Sequence, residues 1–524
     1  MNVANLLVRS ALHHPERPLW IDGSRSISYG EGRQRLDAIA SALRHRGEHG
    51  DRVAILSSNR FEAFEIYLAA MRAGMVAVPM NPKLHPSEYA YILSDSGAKF
   101  FAFSANFEDV VQQIGKEISL PSHLFRIGGE GGGNAQPYEA LLEGELHPYI
   151  GSAIDPNETA WLFYTSGTTG RPKGAMETHR NLVTMIHNFL TSGLGEASET
   201  DVMLHLAPIS HGTASIGLVY LARGGAQAFP LSKSFEAPKV FEAIQRFGVT
   251  ATMLAPTMVQ LLMRSDERTS FDLSTLRTVV YGGAPMHRGV LDEAMAAFGP
   301  IFMQGFGQGE AAAACAILSK ADHVVGDDPD RERRLNSVGR PPIAVMMRIA
   351  DEEGNTLPVG VSGEILVQGD LVMSGYWNNP EATANTIKDG WLHTGDVGYL
   401  DEGGYLFLTD RVKDMIISGG SNIYPREIEE VLYQHPDVAE VSVIGVPDPK
   451  WGESVLAVVV PRADTEPTEE SLIEHCKNHI ASFKKPKAVA FVDALPKSAN
   501  GKVLKRVLRE QFGESAPAAT PVAG

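Results

Sequence analysis

The segment YTSGTTGRPKGA, residues 164–175, constrains the fold of this chain more than any other feature. Its glycines let backbone amides approach an anion closely, its hydroxyl groups add hydrogen-bond donors, and Arg171 and Lys173 supply positive charge. The apolar run AWLFY, residues 160–164, precedes the loop and predicts a buried strand. A phosphate-binding loop at the carboxyl end of a strand is typical of α/β proteins, so we expect helix-covered sheets.

The spacing of this loop differs from that of a Walker P-loop. A Walker loop requires Gly-x-x-x-x-Gly-Lys followed by Ser or Thr, whereas Pro172 separates Arg171 from Lys173 here and Gly174 follows. The sequence therefore disfavours a P-loop kinase. An isolated SGTTG would fit an ordinary surface turn, but a run of this length and composition after a strand favours phosphate binding.

Chain length and composition indicate a large protein with more than one domain. The 524 residues exceed one ordinary hydrophobic core, and 44% of them are apolar. No apolar run reaches the roughly 18 residues needed to span a bilayer, and the amino terminus lacks the pattern of a secretory signal. We therefore expect a cytoplasmic protein, and Cys315 and Cys476, far apart in sequence, should be reduced thiols.

Acidic residues outnumber basic ones. The 63 Asp and Glu against 46 Lys and Arg give a net charge of -17. This balance provides no electrostatic reason to bind nucleic acid, so local cations must meet any anionic substrate. The sequence is compatible with a homodimer and does not fix the oligomeric state.

Short apolar strands alternate with helical stretches as far as Val345, which predicts parallel sheets covered by helices. Closer-spaced strands follow and suggest a small barrel, and beyond Asp410 the pattern indicates a compact α+β unit. The predicted strands are 52–56, 75–79, 99–103, 202–206, 251–254, 278–281, 346–350, 364–368, 405–408, 439–446 and 454–460. The predicted helices include 61–72, 238–246, 425–434 and 469–479.

Two further glycine-rich segments each follow a short apolar strand. They read YGGAP at 281–285 and QGFGQGE at 304–310. Glycine lets a backbone approach a planar ring closely, and Phe306 offers a face on which such a ring can stack. A single Phe among glycines is more often a core residue. The segment therefore indicates a ring-binding site only together with the other motifs of the chain.

The remaining motifs lie toward the carboxyl end, reading WLHTGD at 391–396, DRVKD at 410–414, ISGGSNIYP at 417–425 and PKSANGK at 496–502. The carboxylate of Asp396 can accept both hydroxyls of a ribose, and Arg411 fits as a second contact. Lys502 follows a turn that should lift it from the surface, where a compact, mobile cation can meet phosphate charge. Taken singly, such an Asp is more often a turn residue, and such a Lys is more often a solvated surface charge.

In content and order, these five motif groups resemble those of the adenylate-forming superfamily, which includes acyl-CoA synthetases, firefly luciferases and peptide-synthetase adenylation domains. The resemblance covers nearly the whole chain, from Asn5 to Phe512. It implies ATP and Mg²⁺ as cofactors, with coenzyme A and a small carboxylic acid as further substrates.

The resemblance also implies roles for individual residues. Glu310 would hold Mg²⁺ and act in catalysis, and Asp396 and Arg411 would bind ribose. The residues implied in phosphate binding are Thr165, Ser166, Gly167, Thr168, Thr169, Gly170 and Lys173. The residues implied in adenine binding are Gly283, Ala284, Pro285, Gln304, Gly305, Phe306 and Gly307.

A mobile C-terminal domain is a further implication of the resemblance. Lys413 would be the hinge, Lys502 would catalyse adenylation, and Gly420 would lie beside the pantetheine tunnel in a second conformation. The fold class is then α/β, with a large N-terminal domain of helix-covered parallel sheets plus a small barrel, and a small mobile α+β C-terminal domain. The boundaries are 1–410 for the large domain, 411–413 for the hinge, 414–512 for the small domain and 513–524 for a disordered tail.

The QGFGQGE segment departs from the family pattern Gly-Tyr-Gly-x-Thr-Glu at two positions. Phe306 replaces Tyr and preserves stacking, whereas Gly309 replaces Thr and removes a hydroxyl that contacts the α-phosphate in relatives. A hydrogen bond to a charged group is typically about 1.5 to 3 kcal/mol. A water molecule or a hydroxyl within 165–169 would replace it, or catalysis would be weaker. We expect Gly309→Thr to be tolerated.

The implied reaction has two steps. A carboxylate attacks the α-phosphorus of ATP and releases pyrophosphate, and a thiol then attacks the acyl adenylate. Amino-acid-adenylating relatives carry an Asp that pairs with the substrate ammonium, whereas LAPISHGTAS at 206–215 has His211 and no acid. His211 matches the position that flanks the acyl pocket, so we expect a fatty or aryl acid, with medium to long chains slightly favoured.

Three alternatives remain at this point. A stand-alone adenylation domain would load the acyl group onto a carrier protein instead of CoA. A luciferase would oxidise the adenylate with oxygen and emit light. A non-enzymatic acyl-binding protein would show no ATP dependence, which fits poorly with the joint presence of Glu310, Asp396, Arg411 and Lys502.

Overall fold

The computed structural model describes residues 1–513, apart from 24, 130–132, 147–153, 166–170, 233, 285, 287, 325, 327–328, 412–413, 419–420, 424, 449–450, 481, 483 and 498–501. By contact, the chain divides into two compact units. Unit 1 comprises Met1–Pro285, Glu293–Met347 and Val367–His393, and unit 2 comprises Met286–Asp292, Arg348–Leu366 and Thr394–Gly524. Cys315 and Cys476 are both buried, lie one in each unit and form no disulfide with each other.

Helices are distributed along the whole chain, and many begin at a polar cap. Thr178, for example, caps α6 in a reciprocal arrangement, because its Oγ1 accepts from Asn181 N while Asn181 Oδ1 accepts from Thr178 N. The helices are α1 Asn5–His13, α2 Tyr29–Arg46, α3 Phe61–Arg72, α4 Pro86–Ser96, α5 Glu108–Glu117, α6 His179–Ser192, α7 Gly212–Ala222, α8 Ala237–Phe247, α9 Pro256–Met263, α10 Arg288–Phe298, α11 Lys320–His323, α12 Pro329–Arg334, α13 Pro380–Thr386, α14 Pro425–Tyr433, α15 Glu469–His479 and α16 Lys505–Phe512.

Unit 1 contains two large sheets whose strands are mostly parallel. The first has β3 Arg52–Leu56, β4 Val76–Met80, β5 Phe100–Ser104, β6 His123–Ile127, β7 Gln136–Pro137, β8 Thr159–Thr165 and β9 Lys173–Thr178. Its strand order is β7-β6-β5-β3-β4-β8-β9, and only the β8–β9 pair in this order is antiparallel. Its central strands β3, β4 and β5 are nearly continuous apolar runs because both of their faces are buried.

The second sheet of unit 1 carries two of the glycine-rich motifs. Its strands are β1 Pro18–Asp22, β2 Arg25–Ser28, β10 Val202–Leu204, β11 Ala226–Ala228, β12 Ala251–Leu254, β13 Thr278–Gly282, β14 Phe302–Phe306 and β15 Ala316–Leu318. They lie in the order β15-β14-β13-β12-β10-β11-β1-β2. β13 and β14 are parallel neighbours, so the segments that follow them leave the same edge of the sheet.

Closer-spaced strands form a third sheet, as the sequence predicts. Its strands are β16 Met346–Ala350, β17 Gly363–Gln368, β18 Ile387–Lys388, β19 Trp391–Leu400 and β20 Leu406–Arg411, in the order β16-β17-β19-β18 with β20 paired to β19. The antiparallel pairing of β19 with β20 and with β18 fits the short connections between these strands.

The last sheet lies in unit 2 and is covered by helices. Its strands are β21 Ile416–Ser418, β22 Ser421–Ile423, β23 Val438–Asp448, β24 Gly452–Pro461 and β25 Ala488–Phe491. On β23, Val441 and Val443 pack in one cluster with residues of α14 and α15, while Ile444 and Val446 pack in another with Leu508 of α16. A strand apolar on both faces is therefore buried between helices, which gives the predicted α+β unit.

The first residues of the chain are tied to unit 1. Asn2 Nδ2 donates to Met71 O at 2.7 Å, and Val3 N donates to His179 Nδ1 at 3.2 Å. Val3 and Ala4 are fully buried. This contact joins the start of the chain to the first residue of α6, the helix that follows the β8–β9 hairpin.

The predicted fold class is confirmed, with shifts of one to two residues at many element ends. Segments 52–56, 61–72, 251–254, 346–350 and 469–479 have the predicted bounds. Strand β20 begins one residue later than predicted and ends at Arg411, because it extends into the first two residues of the DRVKD motif. Most of the tail predicted to be disordered lies outside the described residues.

Candidate active site

The phosphate loop connects two paired strands at the end of the first sheet. Thr165 closes β8 and lies opposite Lys173, the first residue of β9. The loop therefore leaves the carboxyl end of a buried strand, as predicted. Ser166, Gly167, Thr168, Thr169 and Gly170 fall outside the described residues.

Both cations of this loop lie over aromatic rings. The Lys173 ammonium is 5.2 Å from the centroid of the Tyr376 ring, and the Arg171 guanidinium is 5.6 Å from that of Tyr91. Cation–π contacts of this kind orient a positive charge without neutralising it. Positive charge therefore remains at the root of the loop.

The two segments predicted to bind adenine are neighbours, because Tyr281 and Gly282 of β13 lie opposite Gln304 and Gly305 of β14. A β-carbon on Gly282 would stand 2.5 Å from the carbonyl oxygen of Gly305, so only glycine fits there. Gly283 follows in the left-handed region at φ +77°. Ala284 is half-buried, and Pro285 lies outside the described residues.

The β14 segment fixes its side chains at the strand end. Gln304 is buried and its Oε1 accepts from the Tyr281 hydroxyl at 3.3 Å. Phe306 ends the strand half-buried. A β-carbon on Gly307 would stand 2.4 Å from the backbone of Ala313, so this turn requires glycine.

Glu310 is buried and held from two sides. Its Oε1 accepts from Thr165 Oγ1 at 3.1 Å and from the Tyr376 hydroxyl at 2.8 Å, while its carbonyl oxygen accepts from Met373 N at 3.0 Å. These bonds join Glu310 to the end of β8. The pKa of Tyr376 is raised, mainly by burial and secondly by the charge of Glu310. This keeps the phenol protonated as the donor.

The second oxygen of Glu310 makes no hydrogen bond to any described residue, although the side chain is only 8% exposed. A carboxylate oxygen without a protein donor suits a hard cation such as Mg²⁺, which protein sites often bind through one or two carboxylates and substrate phosphates. Over the described ranges, no cluster of three or more His, Cys, Asp or Glu could hold a metal ion alone. Glu310 therefore fits a site in which one carboxylate and the substrate phosphates bind the ion together.

Glu177 on β9 is a second carboxyl buried in this region. Its side chain is 3% exposed, and burial, with nearby Glu310 as a smaller cause, raises its pKa well above the usual value. Both causes favour the protonated form of Glu177, which avoids two negative charges beside each other.

His211 lies just before α7, and its ring meets that of Phe163. The two centroids are 5.3 Å apart at an interplanar angle of 75°, an edge-to-face contact. Ser210 Oγ lies 2.9 Å from His211 Nδ1. Phe163 is two residues before Thr165 on β8, so His211 is connected through one ring to the strand that ends at the phosphate loop.

The expectation that Gly309→Thr is tolerated is contradicted by the geometry. A β-carbon at Gly309 would stand 2.4 Å from Phe163 Cδ1, 2.8 Å from Phe163 Cε1 and 2.9 Å from Thr165 Cγ2. No side chain at position 309 fits unless the Phe163 ring moves. In this packing the absence of a side chain at position 309 makes room for the Phe163 ring, a reason that the motif comparison could not supply.

In unit 2, Asp396 and Arg411 are directly opposite each other on β19 and β20. Asp396 is buried, and its N–H donates to Thr394 Oγ1 at 3.1 Å. The two residues predicted to bind ribose are thus brought together by strand register. Lys502 is exposed beside Val503, which bridges to Lys497, while Lys413 and Gly420 lie outside the described residues.

Sequence reasoning missed two residues of this site, Tyr376 and Phe163. The Tyr376 hydroxyl donates to Glu310, which lies 66 residues earlier in the sequence, and no local sequence pattern predicts a partner at that distance. Phe163 was assigned only to a buried strand. The alternation of side chains along β8 would have placed it on the same face as Thr165, and this was the available signal.

The chain belongs to the AMP-binding enzyme family. The family matches residues 7–377, and its C-terminal domain matches residues 427–502. The predicted membership in the adenylate-forming superfamily is thereby confirmed.

Relatives cover almost the whole chain. A medium/long-chain fatty-acid CoA ligase of Mycobacterium tuberculosis is 35% identical over 98% of this chain and 90% of its own length. A feruloyl-CoA synthase of an Amycolatopsis species is 37% identical over 97% of this chain and 98% of its own. The ATP-bound structure of MatB from Rhodopseudomonas palustris is 32% identical, with a TM-score of 0.86 over 98% of this chain and 99% of its own.

These similarities confirm the predicted enzyme class, an acid–thiol ligase of the acyl-CoA synthetase type that uses ATP and CoA. They also fit the predicted use of a small-molecule acid. Among the described residues, no helix is both long enough and apolar enough to cross a bilayer.

Proposed function

We propose that this ligase activates a medium- or long-chain fatty acid, or an aryl acid, as an acyl adenylate and transfers the acyl group to CoA. The observation that carries the proposal is the buried Glu310, held by Thr165 and Tyr376 beside the root of the phosphate loop. The relatives that act on fatty acids and on ferulic acid support both substrate classes. A cytoplasmic location and a homodimer stay predictions.

In the first step, a carboxylate oxygen of the acid bonds to the α-phosphorus of ATP, and the bond to the bridging oxygen of pyrophosphate breaks. Lys173, the amides of 166–170 and Lys502 would stabilise the charge that accumulates on the phosphoryl oxygens. Glu310 would hold Mg²⁺, which when bound supplies positive charge against the phosphates. Asp396 and Arg411 would fix the ribose, and the segments after β13 and β14 would enclose the adenine.

In the second step, the sulfur of CoA bonds to the acyl carbon, AMP leaves with the oxygen that joined it to the acyl group, and the thiol proton passes to solvent or base. His211 would stand at the acyl end of the site. Gly420 would border the path of the thiol after rotation about Lys413, when Lys502 has withdrawn.

A panel of carboxylic acids tests the proposal. The purified enzyme is incubated with ATP, Mg²⁺, CoA and acids of varied chain length or ring content, and the products are identified by mass spectrometry with pyrophosphate release measured in parallel. We expect acyl-CoA from one group of related acids. Absence of both acyl-AMP and pyrophosphate across the panel would refute the proposal.

The same assay separates the acceptors. If CoA does not increase product beyond acyl-AMP while a phosphopantetheinylated carrier protein does, the enzyme is a carrier-loading adenylation domain. Light emission in oxygen with the acyl-AMP would indicate a luciferase. Binding of acids without any ATP dependence would indicate a binding protein.

A further inference from the structure

Phe163 and Thr165 lie on the same face of β8, because side chains alternate along a strand. Thr165 Oγ1 donates to Glu310 Oε1 at 3.1 Å. Phe163 meets His211 edge to face at 5.3 Å. One short piece of strand therefore contacts both the residue proposed to hold the metal and the residue proposed to border the acid.

The residue before Glu310 completes this arrangement. Gly309 has no β-carbon, and the space that one would occupy is taken by the Phe163 ring and the Thr165 methyl group, at 2.4 to 2.9 Å. A contact below 3.0 Å between carbons is strongly repulsive, so a side chain at position 309 and this ring position exclude each other. The ring thus occupies the space that the threonine of the family pattern would need at position 309.

The Phe163 ring is confined by its surroundings. It packs against a cluster formed by Ala175, Met373 and Tyr376, and its centroid lies 5.8 Å from that of Trp161. The half-buried ring shares this cluster with Tyr376, which donates to Glu310, so a shift of the ring away from position 309 would change the packing around that donor. The position of Phe163 is therefore coupled to the metal end of the site.

We propose that Phe163 is a positioning residue for the acid: it fills the volume left by Gly309, orients His211 and sets the width of the pocket where the acid carboxylate lies. The inference rests on the proposed function, because His211 is placed at the acid site only there. The inference predicts that a threonine at position 309 is tolerated only when Phe163 is also replaced by a smaller residue.

A double-mutant cycle tests this exchange. The variants are Gly309→Thr, Phe163→Val and the double variant, because Val lacks the Cδ1 and Cε1 atoms that meet position 309. Gly309→Thr alone should lower kcat/KM for the acid by about tenfold or more, as is common for contacting residues. The double variant should return to within about threefold of Phe163→Val, which should itself raise KM for the acid more than KM for ATP.

Gly289→Thr is the matched control, since a β-carbon at this helical glycine meets nothing within 4 Å. Unfolding temperature and the KM for ATP are measured for every variant. Should Gly309→Thr fail to fold, the inference is still decided by the double variant, which must fold and turn over.

Equal activity of Gly309→Thr and the unmodified enzyme would overturn the inference, as would a double variant no better than Gly309→Thr. An unmodified enzyme that activates none of the acids would instead refute the proposed function. The two failures are therefore distinguishable.

Discussion

At the scale of single residues, the buried carboxyl of Glu177 makes stability depend on pH. Its folded pKa is raised above the unfolded value, so the stability it contributes is present below about pH 4.5 and is lost as the pH rises. Glu177→Gln removes the titration and preserves the shape. We expect the variant to gain free energy of unfolding relative to the unmodified enzyme progressively above pH 4.5, measured by urea unfolding at pH 4.5, 6 and 8. A difference that stays constant across this range would contradict the prediction.

Buried histidines act in the opposite direction. Burial lowers the pKa of His179, His205 and His323 to about 4. Because the folded pKa lies below the unfolded value near 6.5, the neutral forms stabilise the fold above that pH, and stability is lost as the pH falls. Each group can add a slope of about 1.36 kcal/mol per pH unit between pH 6.5 and 4.

His323 offers a separate check of this slope. Its Nδ1 lies 2.7 Å from Ser319 O and its Nε2 lies 3.0 Å from the Tyr281 hydroxyl oxygen, and burial favours the neutral ring by lowering its pKa to about 4. His323→Gln should therefore lower the slope of the unfolding free energy against pH, between pH 6.5 and 4, by up to about 1.36 kcal/mol per pH unit. An unchanged slope would show that His323 accepts a proton without cost.

The order of the motifs predicted which residues belong to the candidate site, but it did not predict which side chains pack against them. Asp396 and Arg411 were predicted as a pair, and strand register brings them together. Gly309 was predicted to tolerate threonine, and the structure makes this doubtful only through a ring from a distant segment, which the motif could not show. A one-dimensional pattern records which chemistry is present, whereas steric exclusion depends on contacts that only the fold creates.

At the scale of elements, the start of α6 holds part of the site in place. Asn181 caps the helix with Oδ1 and donates with Nδ2 to Asp370 O at 2.7 Å and to Val372 O at 2.9 Å. The segment anchored in this way leads to Met373, which donates to the Glu310 carbonyl, and to Tyr376. A helix cap thus supports the residues around Glu310.

Two substitutions separate the cap from the anchor. Thr178→Ala removes one capping acceptor and should cost about 1 kcal/mol of unfolding free energy. Asn181→Ala loses the cap and both donors and should cost about 2 to 3 kcal/mol, with lower adenylation activity as well. Asn181→Asp, which keeps the capping oxygen, is the matched control in urea unfolding. Equal losses for Thr178→Ala and Asn181→Ala would show that the anchor contributes nothing.

Elements built on long or strongly apolar runs were predicted to within a residue or two. Helix Phe61–Arg72 and strand Arg52–Leu56 are examples, because each is an apolar run that is buried along nearly its whole length. Short strands such as Gln136–Pro137 and Ile387–Lys388 were missed. A strand of two residues has no periodic sequence pattern, and only its pairing with a neighbouring strand defines it.

At the scale of the whole molecule, two chemical steps are assigned to different conformations. Lys502→Ala should abolish acid-dependent pyrophosphate release and still convert supplied acyl-AMP to the thioester. Gly420→Leu should release pyrophosphate and fail in thioester formation, because a β-carbon would obstruct the thiol. Both half-reactions are followed by mass spectrometry, with the exposed Lys477→Ala as the control for removal of a surface lysine. Identical defects in the two variants would contradict the scheme.

The buried first residues have a practical consequence for anyone handling this enzyme. Met1 is exposed, whereas Val3 and Ala4 are enclosed and Val3 N donates to His179. A purification tag joined at Met1 can therefore extend into solvent, but a cloning design that replaces residues 2–4 would remove a buried contact with the first residue of α6.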